Sequence, residues 1–377
     1  MRRVGVTIGE RIRNIDPILF VCSAVLSFIS ILTIYGAVDN FGKSKLTMQI
    51  AMTLVGAVAL FVVANLDYRF WVDRFALLMF GVSVALLVLT LLFGSTGENM
   101  ETANRSWIRL PIVNIAIQPS EFVKVAFLCT FAKHIELVKD KINHPKNLLF
   151  LMLHAGVIVG LILLSGDLGV ALVYFGIIAF MLFFGGLSGW YFVGVVVALV
   201  IAFPFLWDFL REDQQNRIIF GFQPELDPEG VGMQALMSRD AIANGGFWGR
   251  GLTTGGIYED LPASHTDFIF STVCEKFGFV GGAIVVITLV VMALRLLWLA
   301  YRSRDFVGRL ICGGIAAVVI LQTLENLWMC LAIVPVVGIT LPFMSAGGSS
   351  LLALYFLMGL AHSVYAHEKR FHFRRKG

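Results

Sequence analysis

Asp267 is the residue whose position in this chain most suggests chemistry. It lies in the segment LPASHTDFIF (261–270), where a polar stretch runs into an apolar one. Moving a carboxylate into a bilayer core costs about 2.5–3.5 kcal/mol on insertion scales, so an ionisable side chain at this boundary is a candidate functional group. The position fits two roles equally well, an N-cap of the following helix or a catalytic base.

Other polar side chains lie near predicted membrane boundaries. Glu121 and Lys124 are three residues apart, so on a helix they share a face and can form a neutralised pair or line a charged cavity. Asp167 precedes an apolar run and fits either an N-cap or a partner for Lys124 or for a substrate group. Gln118 stands before Pro119, a residue typical of a first helical turn, and fits a cap.

Several residues could bind a phosphate-bearing substrate. Arg105, beside Trp107, and Arg217 carry guanidinium groups that bind oxyanions bidentately, although each could equally be a surface charge. The segment GITLPFMSAGGSS (338–350) combines serines that can cap a helix with glycines that allow close approach, for packing or for a ligand. Its candidate residues are Ser345, Gly347, Gly348, Ser349 and Ser350.

The composition identifies the elements that must hold these residues. The chain has 377 residues, of which 58% are hydrophobic and only 14% charged, whereas soluble domains average about 25% charged residues. Its 5 cysteines lie in apolar segments without a C-x-x-C pair, as expected of small buried side chains. We therefore predict an all-α polytopic membrane protein whose chemistry lies in the bundle or its loops.

Apolar runs predict about ten transmembrane helices. They lie at about 17–37, 47–66, 75–94, 117–134, 147–164, 168–186, 190–208, 267–295, 307–330 and 347–366. The first run follows a basic N-terminus without a small-residue cleavage site, which indicates a retained span and not a signal peptide. About 19 of the 29 Lys and Arg residues fall on one side, so the positive-inside rule places both termini in the cytoplasm.

Two predicted outer segments, about 95–116 and 209–266, are long enough to be functional. The second is rich in aromatic residues and glycines, and we predict an ordered outer cap with a helix around 232–244. The sequence has no repeat clear enough to indicate an inverted-repeat transporter. We therefore treat residues 1–377 as a single integral membrane domain.

In order along the chain, these segments resemble the SEDS family of bacterial wall synthesis, the RodA, FtsW and SpoVE proteins. The resemblance covers almost the whole chain. The matching segments are RSW (105–107), IQPSEFVK (117–124), GDLG (166–169), Asp227-Pro with Gly230 and Gly232, Ser238 with Gly245-Gly246 and GRG (249–251), Leu261-Pro with HTDFIF (265–270), Glu275 and Gly278, and PVVG (335–338) through LPFMSAGGSS (341–350). The departures include Ser165-Gly166 for a usual Gln-Pro, Ala346 for a usual tyrosine, and Lys276 for the second glutamate of a pair.

The resemblance implies a SEDS-type bundle with a large extracytoplasmic loop between spans 7 and 8, and peptidoglycan glycosyltransferase activity on lipid II. It carries the family's catalytic aspartate onto Asp267, as the general base of an inverting transfer with undecaprenyl pyrophosphate as leaving group. It is consistent with substrate or pyrophosphate binding by Arg105, Trp107, Lys124, Arg217, Ser345, Gly347, Gly348 and Ser349. It is consistent with supporting roles for Gln118, Glu121, Asp167, His265, Thr266 and Glu275.

The resemblance also implies a bacterial cytoplasmic (inner) membrane location and several partners. These are lipid II, the nascent glycan strand, a class B penicillin-binding protein and other wall-synthesis membrane proteins, with no nucleic acid. His265 has no second His or Cys at ligand spacing, so no protein metal site is expected on it, although Mg²⁺ or Mn²⁺ could accompany a phosphorylated substrate. Two alternatives stay open: a lipid II flippase or other transporter, and a non-catalytic scaffold for a penicillin-binding protein.

Overall fold

The computed structural model describes residues 15–95, 105–110, 115–209 and 212–374, and these residues are mostly helical. An antiparallel pair of short strands, β1 (Ile108–Leu110) and β2 (Ile115–Ile117), precedes the fifth helix. The α-helices, in chain order, are α1 (Pro17–Gly36), α2 (Val38–Phe41), α3 (Lys43–Ala64), α4 (Tyr68–Phe93), α5 (Pro119–Val138), α6 (Pro145–Leu164), α7 (Leu168–Phe184), α8 (Gly189–Phe209), α9 (Glu212–Phe222), α10 (Met233–Asn244), α11 (Ile269–Arg302), α12 (Phe306–Cys330) and α13 (Gly348–Arg374).

Within the described residues, 7 helices are long and apolar enough to cross a membrane. They are α1, α3, α4, α6, α11, α12 and α13. The other three predicted spans also form helices, α5, α7 and α8. However, α7 has only 17 residues, and α5 carries Glu121 and Lys124 within its first two turns. The chain is therefore a multi-pass membrane protein, while the count of ten spans stays a prediction.

Helix α12 lies at the centre of the bundle, where it packs against α5, α7, α11 and α13. In the most apolar 18-residue stretch of α12, 78% of the residues are buried, against 17% in α3 and 17% in α4. Gly313 and Gly314 face Phe184 and Leu128 so closely that a Cβ at either glycine would collide. Small residues allow membrane helices this close approach, so α12 forms the core while α3 and α4 present most of their apolar surface to lipid.

Residues 212–266, called the outer segment after their predicted location, dock on a break in α11. At Gly278 the backbone leaves the helical region, with φ 65° and ψ −165°. The N–H groups of residues 250 and 251 donate to the carbonyls of residues 275 and 276 over 2.9 and 3.1 Å. In the other direction, the N–H groups of residues 279 and 280 donate to the carbonyls of residues 246 and 247 over 2.9 and 3.3 Å. The docked segment thus satisfies backbone groups that a broken membrane helix would leave unpaired.

Glu275 fastens this outer segment to α11. Its Oε1 accepts from Asn244 Nδ2 over 2.6 Å and from the Ile257 N–H over 2.9 Å, and its Oε2 accepts from the Tyr258 N–H over 2.9 Å. The buried carboxylate is therefore used by donors from the predicted outer cap, which includes the expected helix as α10 (Met233–Asn244). Its supporting role is to hold the cap and not to touch the aspartate turn.

Lys276 makes a second attachment from the next position. Its fully buried Nζ donates to the carbonyl oxygens of Gly36 and Leu252 over 3.0 and 2.8 Å and to the Tyr258 hydroxyl over 2.9 Å. This lysine joins the end of α1, the outer segment and α11 at one point. The family that this chain resembles usually has a second glutamate at this position. In this chain, Lys276 stands there and connects three parts of the structure.

Replacing Lys276 with methionine should loosen the outer segment. The substitution keeps the apolar stem but leaves three partly buried or buried oxygens without this donor, at a cost of about 1–3 kcal/mol for each buried group left unsatisfied. We expect a lower thermal midpoint and faster limited proteolysis between residues 245 and 260. Lys43→Met, at an exposed lysine, is the matched control. Equal protease resistance of the two variants would contradict the attachment.

Candidate active site

Asp267 lies in a turn that ends just before α11. The helix begins at Ile269, its N-cap is Phe268, and no side chain caps it. The turn is closed instead by Thr272, whose Oγ1 donates to the Ser264 carbonyl over 2.9 Å. Asp267 therefore does not act as the helix cap, which was one of the two roles that its position allowed.

A buried amide holds the backbone of this turn. Asn326 on α12 is fully buried, and its Nδ2 donates to the carbonyl oxygens of Asp267 and Ile339 over 2.6 and 2.7 Å. One side chain thus connects the central helix, the aspartate turn and the segment 331–347 that leads to α13.

The same segment also contacts the turn directly. Ser345 Oγ donates to the Thr266 carbonyl over 2.7 Å and accepts from the Leu341 N–H over 2.8 Å. The Ala346 N–H donates to the His265 carbonyl over 2.9 Å. His265 and Thr266 therefore contribute main-chain oxygens that place the beginning of α13 beside Asp267.

The Asp267 carboxylate is half-buried and makes no hydrogen bond within the described part of the chain. Gly338, with φ 69°, lies against it so closely that a Cβ there would stand 3.3 Å from Oδ2. Burial, and to a smaller extent the nearby Asp167 carboxylate, raise the pKa of Asp267 to about 6. An unpaired carboxylate with this pKa is mostly ionised at neutral pH and can accept a proton from a bound hydroxyl.

Asp167 caps α7 and binds the residue before α5. Its Oδ1 accepts from the Val170 N–H over 3.1 Å, and its Oδ2 accepts from Gln118 Nε2 over 2.8 Å. Burial raises the pKa of this carboxyl as well. Gln118 stands at the N-cap position of α5, as predicted, but its side chain makes no cap hydrogen bond. Its N–H donates to Ser349 Oγ over 3.2 Å, which brings the beginning of α13 to the same place.

Glu121 and Lys124 form the expected pair on α5, with 2.9 Å between Oε1 and Nζ and both side chains buried. Lys124 also attracts Glu325 of α12, whose buried Oε2 has no hydrogen-bond partner in the part of the chain that the structure describes. Glu325 was not among the residues predicted from the sequence, although an ionisable residue inside a predicted span is a recognisable signal of function. The ion pair of Lys124 is with Glu121, and Glu325 lies close enough to feel its charge.

The remaining predicted residues lie at different distances from this centre. Arg105 is exposed, and its N–H donates to the Ser165 carbonyl over 3.2 Å, two residues before Asp167. Trp107 pairs with Ser95 in an isolated β-bridge. Gly347 and Gly348 stand at the beginning of α13, where a Cβ would meet nothing nearer than 3.5 Å. Arg217 belongs to α9, but its side chain lies outside the described residues.

Metal-binding residues are sparse at this centre. Among the residues that the structure describes, no group of three or more His, Cys, Asp or Glu side chains is arranged to hold a metal ion.

Replacing Asn326 with alanine should destabilise the aspartate turn. The change leaves the carbonyls of Asp267 and Ile339 without their donor, and a buried unsatisfied group costs about 1–3 kcal/mol. We expect a lower thermal midpoint of the purified protein. Asn147→Ala, which removes a single exposed hydrogen bond to the Lys141 carbonyl, serves as control and should change the midpoint little. An unchanged midpoint for Asn326→Ala would show that the amide does not hold the turn.

The fold and this centre together define a class of protein. It is a multi-pass membrane protein with a candidate catalytic carboxylate at the end of a membrane helix. A family model described as "Cell cycle protein", which groups FtsW, RodA and SpoVE, matches residues 14–370. The chain belongs to this family.

Individual relatives are similar over nearly their whole length. The chain is 33% identical over 369 residues to a probable peptidoglycan glycosyltransferase FtsW of Trichlorobacter lovleyi, covering 94% of each chain. It is 32% identical over 362 residues to the peptidoglycan glycosyltransferase MrdB of Escherichia coli, covering 94% of this chain and 95% of the relative. A chain in a solved peptidoglycan synthase complex superposes with a TM-score of 0.82 at 28% identity, covering 94% of this chain and 98% of that one.

Proposed function

We propose that this chain polymerises lipid II into glycan strands at the outer face of the cytoplasmic membrane, with Asp267 as the general base. The chain is a peptidoglycan glycosyltransferase, like the relatives that it matches from end to end. The observation that carries the mechanistic proposal is the Asp267 carboxylate, which is half-buried and unpaired within the described residues and has a pKa of about 6. A structural aspartate in such a place would be expected to hold a helix end or an ion pair.

In the proposed reaction, the carboxylate takes the proton of the acceptor's GlcNAc 4-hydroxyl. The hydroxyl oxygen bonds to the anomeric carbon of the donor's MurNAc, and configuration inverts. The bond from that carbon to the pyrophosphate oxygen breaks, and its electron pair leaves with undecaprenyl pyrophosphate. Because pyrophosphate is a good leaving group, it needs charge stabilisation more than a proton.

The beginning of α13 is the feature that best supports binding of the pyrophosphate. A helix N-terminus carries unpaired N–H groups and a partial positive charge, which attract phosphate. Here Ser349 is linked to Gln118, while residues 345 and 346 are linked to the turn that bears Asp267. A Cβ at Gly347 or Gly348 would make only ordinary contacts, at 3.5 Å or more. Lys124 and Arg105 are further candidates, although the charge of Lys124 is already offset by its ion pair with Glu121.

The proposed topology has ten spans, both termini in the cytoplasm and the large loop between spans 7 and 8 outside. It places Asp267 at the outer face, where lipid-linked sugars would meet the docked segment 209–266. The similarity to a chain of a peptidoglycan synthase complex supports pairing with a class B penicillin-binding protein, which would crosslink the strands.

Removing the Asp267 carboxylate should abolish polymerisation. A positioned base contributes about 10²–10⁴-fold to a rate, so Asp267→Asn and Asp267→Ala should fall to the background of a lipid II polymerisation assay with the partner synthase. Asp260→Asn, at an exposed acid of the same loop, is the matched control and should stay active. Full polymerisation by both Asp267 variants would refute the base. Transport of lipid II without polymer would indicate the flippase alternative.

The pH profile should report the ionisation of Asp267. Because the base works only when deprotonated, kcat/KM should rise with pH and level off above about 6, the pKa of Asp267. Asp167→Asn removes the neighbouring negative charge while keeping a side chain that can cap α7. It should therefore lower the pKa of Asp267 and move the acid limb to lower pH. A limb that stays in place, or moves upward, would contradict the coupling of the two carboxylates.

A further inference from the structure

Three aromatic side chains are exposed where the outer segment docks on α11. Phe247 and Trp248, which we call the aromatic tip, are 58% and 77% exposed, and Phe279, the residue after the break at Gly278, is 65% exposed. The ring of Phe247 stacks on that of Phe279 with 5.8 Å between the centroids, and Trp248 meets Phe247 edge to face at 5.0 Å. The aromatic tip therefore stands at the level of the first turn after the break.

The surroundings of α11 change at the same residue. From Ile269 to Lys276 every side chain is buried. Beyond the break, large apolar side chains are exposed along one side of the helix; they are Phe279, Ile284, Ile287, Val290, Val291, Leu294 and Trp298. Because α11 is long and apolar enough to cross a membrane, this side faces lipid. Phe279 is its first member, so the aromatic tip that stacks on Phe279 continues a lipid-facing surface.

The length of α11 places this point at a membrane boundary. Phe279 and Trp298 are 19 residues apart, which is about 28 Å along a helix and close to the roughly 30 Å thickness of a bilayer's hydrocarbon core. Trp298 is contacted by Arg295 and Arg302, whose Cζ atoms lie 4.1 and 5.5 Å from its ring centroid. Tryptophan beside arginine is typical of a membrane–water interface. One hydrocarbon thickness away, Phe279 and the aromatic tip lie at the other interface.

The composition of the tip segment GGFWGRG (245–251) also suits an interface. A tryptophan joins an apolar body to one polar N–H, so it is favoured where one end is apolar and the other wet. The one charged residue of this segment, Arg250, is exposed, and its Nη1 donates to Asn244 Oδ1 over 3.0 Å. A guanidinium has five N–H donors, so Arg250 has others to offer to phosphate oxygens. The segment thus presents apolar rings and a cation side by side, as a phospholipid surface presents esters and phosphates.

We propose that the aromatic tip is inserted into the phospholipid interface beside α11 and anchors the outer segment there. The rings of Phe247 and Trp248 lie at the level of the ester groups, and Arg250 donates to lipid phosphates. The bilayer then holds the outer segment against the break in α11, in addition to the attachments made by Glu275 and Lys276. This anchor is separate from the proposed transfer reaction and needs neither the catalytic aspartate nor lipid II.

Spin labels on introduced cysteines test the insertion in phosphatidylcholine vesicles. The native cysteines are buried, so the label reports the new one. Oxygen concentrates in the hydrocarbon and a nickel chelate in water, so the ratio of their collision rates measures depth. The ratio should be highest for Ile287→Cys on the lipid-facing side of α11, intermediate for Trp248→Cys, and lowest for Asp260→Cys at an exposed acid of the outer segment. A Trp248 label that matches the Asp260 label would leave the tip to water or to a protein partner and overturn the proposal. A Trp248 label as deep as the Ile287 label would overturn it as well.

Amide hydrogen exchange in the same vesicles tests whether the tip holds the docked segment. In the double variant Phe247→Ser, Trp248→Ser, the N–H groups of residues 250, 251, 279 and 280 should exchange about tenfold faster or more, because the lost apolar transfer free energy has about that effect on an opening equilibrium. Trp190→Ser, which removes a tryptophan that is 82% exposed at the beginning of α8, should leave their exchange unchanged. Equal exchange in the double variant and the wild type would overturn the anchor.

Discussion

The need to pair every backbone polar group inside a bilayer shapes the half of this molecule that holds the break in α11. Helix α11 is broken at Gly278, and a broken helix in lipid is unstable unless other groups replace its lost hydrogen bonds. Residues 246–251 supply them in both directions. The outer segment is therefore part of the membrane core's hydrogen bonding. Asp267 stands at the beginning of that same helix, so the candidate base depends on a helix that is complete only when the outer segment is docked.

Buried charges in this chain are satisfied in two different ways. Glu275 and Lys276 are neighbours in sequence, yet the contacts that hold them go to neutral donors and acceptors of the outer segment and α1. Glu121 and Lys124 neutralise each other at a distance of 2.9 Å. The first arrangement connects elements that are far apart in the chain, whereas the second lets one helix carry charge into the bundle. Asp267 follows neither pattern, because its carboxylate has no hydrogen-bond partner among the described residues, and this difference is what the proposed role as general base rests on.

The helices and the candidate aspartate could be predicted from the sequence, because the length of an apolar run and the position of a charge beside it are local signals. All ten predicted spans are helices, and the helix expected around 232–244 is α10 (Met233–Asn244). The aspartate at 267 could be found because a carboxylate beside an apolar run is costly. Whether it caps the helix could not be decided, since that depends on where the turn ends and on Thr272 closing it.

Other features needed three-dimensional contacts. The break at Gly278 depends on a partner segment that lies about thirty residues earlier in the chain. The attachment at Lys276 joins Gly36 to Leu252, which no local pattern connects. Glu325 could have been noticed as a charge in a span, but its closeness to Lys124 depends on how α5 packs against α12. Gln118 occupies a cap position, and its side chain is drawn away by Asp167 from another helix.

Gly338 matters to the candidate site because glycine has no Cβ. A Cβ at this residue would stand 3.3 Å from Asp267 Oδ2, a tighter contact than most real Cβ atoms make, and the backbone there has a φ of 69°, which strains any residue other than glycine. In the proposed reaction the acceptor hydroxyl must reach this carboxylate. Under that mechanism, a side chain at 338 would therefore crowd the carboxylate at the place where the acceptor binds, and the free space beside Asp267 depends on the missing side chain of a residue about seventy positions later in the chain.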